Sequence, residues 1–171
     1  LVIALDMRSI DNLLYTPAPD IVHESAGHAP FIVDIDYAEF LQRFGEVGMK
    51  AISTKADLEQ YEVIRQLSIL KACPESKDED IADAEEILKG LRDRADTPSE
   101  AALLTRLHWW TVEYGLVGSM EDYKIFGAGL LSSLGESQRC MDDLHVRKIP
   151  LTVNAVNTPY DITTEQPQLL V

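Results

Sequence analysis

Residues 19–28 read Pro-Asp-Ile-Val-His-Glu-Ser-Ala-Gly-His, and the rest of the chain is best understood from this stretch. His23 and His28 lie on either side of Glu24, and neutral imidazole is the commonest metal ligand in proteins. The zinc-protease pattern places its two histidines four residues apart. A separation of five puts them roughly 140° apart on an ideal helix, so a regular helix could not aim both at one ion. Gly27, which tolerates unusual backbone angles, stands where a break in the helix would help. The stretch therefore predicts a metal site unlike that of a zinc protease.

The composition sets the class of protein. The chain has 171 residues, a formal net charge of −14 and 46% hydrophobic residues, which fits a single domain over 1–171 with a real core. The negative charge argues against nucleic acid and anionic membranes as partners. Two distant cysteines are typical of reduced thiols, so we expect a cytoplasmic protein. The chain starts without Met or a signal-peptide pattern, which favours a piece of a longer protein.

Helical periodicity dominates the region after the histidines. Asp34 or Asp36 is expected to cap a first helix whose core-facing apolar side carries Tyr37, Phe40, Leu41, Phe44 and Val47. Residues 54–96 then predict two amphipathic helices, each opened by a capping pair, with apolar faces that include Leu58 in the first helix and Ile87 in the second. These pairs are Thr54 with Asp57, and Ser76 with Glu79. The pattern is typical of a surface helix pair and carries no obvious chemistry.

Glu113 is the unusual residue of the next helix. Thr97 is expected to cap that helix with Glu100 three residues later, and the helix is predicted to run to Gly115. Within its apolar run, Glu113 follows residues 109–110, which are both tryptophan. A carboxylate in such surroundings is costly unless a cation or a metal compensates it. Glu113 therefore points outward, pairs with an arginine or binds a metal, and the two histidines favour the metal.

The final third changes character. Residues 123–126 predict a short strand, and Ser133 with Glu136 predicts a capping box that opens a helix reaching about Leu144. From Val146 onward we expect irregular strand and loop that wraps the helical body. The predicted fold class is mainly α with small β elements (α+β).

Three blocks of sequence resemble one family. Residues 15–28 (YTPAPDIVHESAGH), 109–116 (WWTVEYGL) and 126–136 (FGAGLLSSLGE) are similar, in this order, to signatures of the tetrahydrobiopterin-dependent aromatic amino acid hydroxylases. The resemblance covers about residues 8–53 and 100–171 and is closest to a divergent bacterial, phenylalanine hydroxylase-like type. It implies that family's catalytic-domain fold, with residues 54–96 as a helical insertion.

The resemblance also implies a metal centre and a reaction. His23, His28 and Glu113 would form a two-histidine, one-carboxylate triad that holds mononuclear non-haem iron(II). In the family, iron(II) and tetrahydrobiopterin or a related tetrahydropterin activate O2, the co-substrate, to hydroxylate an aromatic ring. The implied enzyme is an oxidoreductase, an aromatic amino acid monooxygenase that converts phenylalanine to tyrosine.

Further roles follow from the resemblance position by position. The residues expected to contact the substrate are Arg8, Thr16, Trp109, Ser132 and Tyr160, and those expected to contact the pterin are Glu24 and His108. Taken without the resemblance, Arg8 is either a solvated surface residue or a carboxylate clamp. His108 is equally consistent with a surface or hydrogen-bonded histidine, because the family usually has another aromatic residue there. Trp109 and Ile162 together favour phenylalanine as the substrate.

Two other functions remain open at this stage. The chain could be an incomplete or non-catalytic hydroxylase-like domain that binds a metal and serves as an interaction module. It could also be a zinc hydrolase with Glu24 as general base, although the histidine spacing argues against this. The acidic face of residues 54–96 could serve a homo-oligomer contact or simply pack against the body.

Overall fold

The computed structural model of the chain describes residues 21, 23–94, 97–162 and 164–171. The described part is mainly helical with short strands, which confirms the predicted fold class. Its α-helices are α1 (Ile35–Gly48), α2 (Lys55–Ala72), α3 (Asp78–Arg94), α4 (Glu100–His108), α5 (Ala128–Ser132) and α6 (Leu134–Arg139). Its strands are β1 (Leu116–Gly118), β2 (Tyr123–Ile125), β3 (Arg147–Ile149) and β4 (Gln168–Leu170). Two segments, His23–His28 and Trp109–Glu113, are π-helical.

The strands form two small two-stranded sheets. β1 and β2 make an antiparallel hairpin in which Leu116 faces Ile125. β3 and β4 are parallel, with Lys148 opposite Leu169, and they bring the end of the chain back onto the body. Because Leu169 and Leu170 are each 1% exposed, the predicted wrapping of the last segment around the helices is confirmed.

The main core lies around the second π-helical segment. Trp110 is its largest fully buried side chain, and its indole N–H donates to the carbonyl of Thr158 over 2.8 Å. The buried residues packed with it are Tyr114, Leu116, Leu130, Cys140, Val146, Ala155, Leu169 and Leu170. The segment that carries Glu113 is therefore anchored in the main buried cluster of the described chain.

The helix pair α2–α3 has a small core of its own. Leu67, Ala84 and Leu88 form a separate buried cluster between the two helices. Leu58, predicted to be on the buried face of α2, is instead 61% exposed, and Ile87 of α3 is 54% exposed. In the described part of the chain each helix has mainly the other as its partner. Leu58 and Ile87 line an open cleft between the two helices, which is why they stay exposed. That the pair is an insertion stays a prediction.

Helix starts follow the sequence rules in part. Asp34 caps α1, and Thr54 with Asp57 forms the predicted capping box of α2. Thr97 was the wrong cap for α4, because Ser99 accepts the backbone N–H of Ala102 instead. The carboxylate of Glu100, expected to close that box, accepts from the N–H of Ile52, so a tertiary contact has replaced the local one.

The starts of α3 and α6 also differ from the prediction. α3 begins at Asp78, two residues after the expected cap at Ser76. α6 ends at Arg139 rather than near Leu144, and the side chain of its cap residue makes no capping hydrogen bond. Its Glu136 is buried and accepts from the Tyr114 hydroxyl over 2.7 Å. Burial raises the pKa of Glu136, against the opposing effect of that hydrogen bond.

Burial along α1 agrees with the prediction only in part. Tyr37 of α1 is buried as expected, but Val47, expected in the core, is 52% exposed near the end of the helix. Among the described residues, no helix combines the length and the apolar composition needed to cross a bilayer.

Candidate metal centre

His23 and His28 point to the same place because the segment that carries them is a π-helical turn. The π-helix closes its hydrogen bonds five residues on, rather than four as in an α-helix. A spacing of five therefore returns to the same face. The two Nε2 atoms lie 2.9 Å apart, and the rings meet edge to face with centroids 4.7 Å apart. The distortion predicted from the spacing is present, as a wider turn rather than as a break at Gly27.

Gly27 has a different role from the one expected. A Cβ at this position would lie 2.6 Å from the Cβ of Ala128, so a side chain cannot be accommodated. The absence of a side chain allows the histidine segment to pack directly against α5. Gly127, just before α5, makes an equally close approach to the carbonyl of Glu113. These two glycines allow the histidine turn, the Glu113 turn and α5 to pack closely together.

Glu113 closes the site from a second π-helical turn. The helix predicted to run to Gly115 is α-helical only as far as His108 and continues as the turn Trp109–Glu113. The Glu113 carboxylate reaches both histidines, with Oε2 3.4 Å from Nε2 of His23 and Oε1 3.3 Å from Nε2 of His28. Its side chain is 17% exposed. The structure therefore excludes the alternative in which Glu113 points outward into solvent.

The donor set fits a metal ion. One atom from each of His23, His28 and Glu113 can be chosen so that all lie within 4.8 Å of one another. Ligand atoms each about 2.1 Å from one ion, at angles of roughly 90–110°, are about 3.0–3.4 Å apart. The distances of 2.9, 3.3 and 3.4 Å are close to this range. Two imidazoles and one carboxylate are also the donor types of the facial triad of non-haem iron(II) proteins.

The charges within the cluster are coupled. The hydrogen bond with Glu113 raises the pKa of His28 above its ordinary 6.5, against the opposing effect of burial. Burial would raise the pKa of Glu113, but the hydrogen bond from His28 and the charges of the surrounding histidines lower it overall. Glu113 is therefore an anion that attracts either a proton or a cation to the two histidines.

Ser132 supports His23 from behind. Its Oγ lies 3.1 Å from Nδ1 of His23 and 2.9 Å from the carbonyl oxygen of Ala128. A serine hydroxyl has one hydrogen, so if that hydrogen goes to Ala128, the oxygen accepts Nδ1–H of His23. Nε2 of His23 is then the unprotonated nitrogen and directs its lone pair into the cluster, as a metal ligand requires. The predicted contact of Ser132 with a substrate stays a prediction.

Trp109 is held between two tyrosines. Its indole stacks on Tyr114 and on Tyr160, in each case with centroids 4.4 Å apart. Within the described part of the chain, its buried Nε1 has no hydrogen-bond partner. Trp109 and Tyr160, both predicted at the substrate pocket, therefore form one stack, and Tyr114 is a third member that the sequence analysis missed. The available signal was that Tyr114 directly follows Glu113 inside the second block.

The two residues predicted to contact a pterin lie beside the cluster. Glu24 is half-buried, and its charge contributes to the raised pKa of His28. His108 ends α4 with its Nδ1 3.9 Å from Oε1 of Glu113. Burial lowers the pKa of His108. Arg8 and Thr16, the other predicted contacts, lie outside the described residues.

A cavity of about 420 Å³ is lined in part by residues of the turn that carries Glu113. It is mostly apolar, and its lining residues are Phe31, Asp34, Tyr37, Phe40, Thr111, Val112 and Phe126. The Glu113 charge and, more strongly, burial raise the pKa of Tyr37. Tyr37 and Phe40, predicted to be core residues, lie on the wall of this cavity.

Comparison with known proteins agrees with the geometry of the site. The family model described as biopterin-dependent aromatic amino acid hydroxylase matches residues 5–68 and 69–171. The phenylalanine-4-hydroxylase of Dictyostelium discoideum is 33% identical over 155 residues, which cover 90% of this chain and 25% of that protein. The phenylalanine-4-hydroxylase of Pseudomonas aeruginosa is 28% identical over 169 residues, which cover 99% of this chain and 47% of that protein. The chain thus spans less than half the length of these relatives.

Solved structures show the same fold. The apo structure of the cold-active phenylalanine hydroxylase from Colwellia psychrerythraea 34H has a TM-score of 0.60 and 25% identity, covering 98% of this chain and 48% of that one. The iron- and phenylalanine-bound phenylalanine hydroxylase from Chromobacterium violaceum has a TM-score of 0.56 and 26% identity, covering 92% of this chain and 43% of that one.

Proposed function

We propose that this chain, which belongs to the biopterin-dependent aromatic amino acid hydroxylases, hydroxylates the ring of an aromatic amino acid with iron(II), a tetrahydropterin and O2. Phenylalanine is the proposed substrate and tyrosine the product. The observation that carries the proposal is the cluster of His23, His28 and Glu113, which two π-helical turns bring within ligand distance of one another.

The donor chemistry supports iron in this cluster. Two neutral imidazoles and one carboxylate bind iron(II) on one face and leave the remaining positions for other ligands. The relative from Chromobacterium violaceum with 26% identity was solved with iron and phenylalanine bound. When bound, the iron and the reduced pterin together supply the activation of O2.

The residues of this chain prepare the site for such a cation. Ser132 keeps the proton of His23 on Nδ1, so that Nε2 is available as a ligand. The lowered pKa of Glu113 keeps its carboxylate charged even though its side chain is mostly buried. One negative charge between two imidazoles favours a cation over an empty site, because unpaired buried charge is costly.

The stacked aromatic rings support an aromatic substrate. Because Tyr114 and Tyr160 cover both faces of Trp109, a substrate ring could meet the edge of this indole but not its face. Edge-to-face contact between aromatic rings is favourable. Ile162, which is half-buried two residues after Tyr160, adds an apolar side chain that suits an unsubstituted ring. Arg8 and Thr16 are proposed to hold the substrate's carboxylate, and Glu24 to contact the pterin.

Metal binding and activity test the proposal in two steps. Anaerobic titration of the 171-residue chain with iron(II) should give one ion per chain, and His23→Ala or Glu113→Ala should abolish this binding. His145→Ala is the matched control, because His145 is an exposed histidine paired with Asp142. Unchanged binding in both ligand variants would refute the site.

The second step measures tyrosine formation from phenylalanine with a tetrahydropterin and O2. Tyrosine formation that requires all three components supports the hydroxylase. Tight iron binding without pterin-dependent oxygen uptake would instead favour a metal-binding domain without catalysis.

A further inference from the structure

His108 lies beside the metal cluster without belonging to it. It is the last residue of α4 and directly precedes the π-helical turn that carries Glu113. Its Nδ1 is 3.9 Å from Oε1 of Glu113, and its ring packs on Phe44 of α1 with centroids 5.2 Å apart. The His108 side chain is 32% exposed, and its ring lies between the mostly buried Glu113 carboxylate and α1.

A metal changes what the Glu113 carboxylate needs. In the described part of the chain, its ion-pair partners are His23, His28 and His108. Once the Nε2 atoms of the first two point their lone pairs at an ion, neither can donate to the carboxylate. A carboxylate that binds the ion through one oxygen then keeps a second, mostly buried oxygen that requires a donor. His108 is the partner that remains.

We propose that His108 is a positioning residue for Glu113: it donates from Nδ1 to Oε1, and thereby holds Oε2 towards the metal. This inference rests on the proposed function, since it requires the triad to bind a metal. The present 3.9 Å is about 1 Å longer than an N–H···O hydrogen bond, a gap that a small rotation of the carboxylate closes. Outer-shell donors of this kind typically change metal affinity 10–100-fold.

Three substitutions separate a donor role from a packing role. Asparagine places its amide N–H where Nδ1 of histidine lies, leucine has the shape of asparagine without a donor, and phenylalanine keeps the ring against Phe44 without a donor. If His108 acts by donation, His108→Asn binds metal like wild type, whereas His108→Leu and His108→Phe both bind weakly. If it acts by ring packing, His108→Phe is the tolerated variant.

Cobalt(II) is the probe, since its absorption reports its ligands and its binding needs no turnover. We expect His108→Leu and His108→Phe to weaken cobalt(II) binding about 10–100-fold, and His108→Asn to stay within about threefold of wild type. The absorption bands of bound cobalt(II) should shift in the two donor-free variants and be restored in His108→Asn. His145→Leu, at an exposed histidine, should leave both measurements unchanged.

The outcomes distinguish this inference from the function on which it rests. Failure of the wild-type chain to bind cobalt(II) refutes the metal site and this inference with it. Normal cobalt(II) binding by wild type and by both donor-free variants refutes the role of His108 alone. Normal binding by His108→Phe with weak binding by His108→Asn also refutes it, in favour of packing. Thermal unfolding of each metal-free variant shows that a loss of affinity is not a loss of fold.

Discussion

The helix pair α2–α3 and the metal cluster are built by opposite means. The pair consists of regular α-helices, opens with a standard capping box and has a small core, whose buried apolar residues in the described chain are Leu67, Ala84 and Leu88. The cluster is built from two π-helical turns and contains a mostly buried carboxylate among histidines. Gly27 and Gly127 allow its segments to approach closely. The pair follows local rules, whereas the cluster departs from them wherever a ligand has to be placed. The difference shows that irregular backbone is concentrated where the chemistry is expected.

Glycine substitution should give the largest contrast between regular and irregular backbone. Gly127→Ala places a Cβ against the backbone of Glu113, so we expect a loss of about 3 kcal/mol in the free energy of unfolding and loss of cobalt(II) binding. Gly45→Ala is the control in a regular helix, where nothing lies within 4 Å of the new Cβ. It should stabilise the chain by roughly 0.5–1 kcal/mol, because alanine is the better helix former. Chemical denaturation measures both values, and a tolerated Gly127→Ala would contradict the close approach.

Truncation in the core of the pair tests how separate the two regions are. Leu67 is fully buried, so Leu67→Ala should cost about 2–3 kcal/mol by leaving a cavity. Because Leu67 belongs to the buried cluster of the pair, we expect α2 and α3 to lose helical circular dichroism at lower denaturant than the rest of the chain. Cobalt(II) affinity should remain that of wild type. A parallel loss of cobalt(II) affinity would show that the pair supports the site.

Two serines offer a matched pair of substitutions. Ser132 and Ser68 are both buried, and each hydroxyl donates to the carbonyl four residues earlier, at 2.9 and 2.8 Å. Only Ser132 also contacts His23, so Ser132→Ala should weaken cobalt(II) binding about 10–100-fold and Ser68→Ala should not. Both should cost a similar, small amount of stability. Equal cobalt(II) affinities in the two variants would show that His23 does not depend on the serine.

The smallest effect should be in the pH dependence of the metal-free chain. The pKa of His28 is raised above 6.5 by Glu113, so this pairing stabilises the fold fully below pH 6.5 and loses its effect as pH rises through the folded pKa. The pKa of Glu113 is lowered below 4.5, so its contribution is present above pH 4.5 and lost as pH falls through the folded pKa. The pairing is therefore most effective between these two values.

Glu113→Gln removes this dependence, and the measurement is the unfolding free energy at a series of pH values. The stability advantage of wild type over Glu113→Gln should shrink as pH rises above 6.5. Glu59→Gln is the control in the helix pair, because Glu59 pairs with Lys55 on the surface and, within the described residues, with no histidine. Its difference from wild type should stay flat over the same range. Cobalt(II) needs a neutral His28 as ligand, so it should bind more tightly as pH rises above 6.5.

Much of the site could be predicted from the sequence, because it depends on residue types and on their spacing along the chain. The five-residue spacing of His23 and His28 excluded a regular helix, and the apolar run around Glu113 made an inward carboxylate plausible. The capping box at Thr54 needs only residues three apart, so it formed as predicted. Thr97 and Ser133 make none of the predicted capping hydrogen bonds, and the carboxylates of Glu100 and Glu136 accept from the distant Ile52 and Tyr114. Local patterns fail where a distant group offers a better hydrogen bond.

The sequence by itself determined the ligand types, the helical class and the family, since these depend on residue identity and on spacing along the chain. The tertiary structure decided the rest. It showed that the histidine spacing is met by a π-helical turn, that Ser132 lies behind His23, and that Tyr114 and Tyr160 cover both faces of Trp109. The contacts of Ser132 with His23 and of Tyr160 with Trp109 join residues that packing brings together, and His23 and Ser132 are 109 positions apart. Spacing in a sequence has no information about such contacts until the backbone has closed around them.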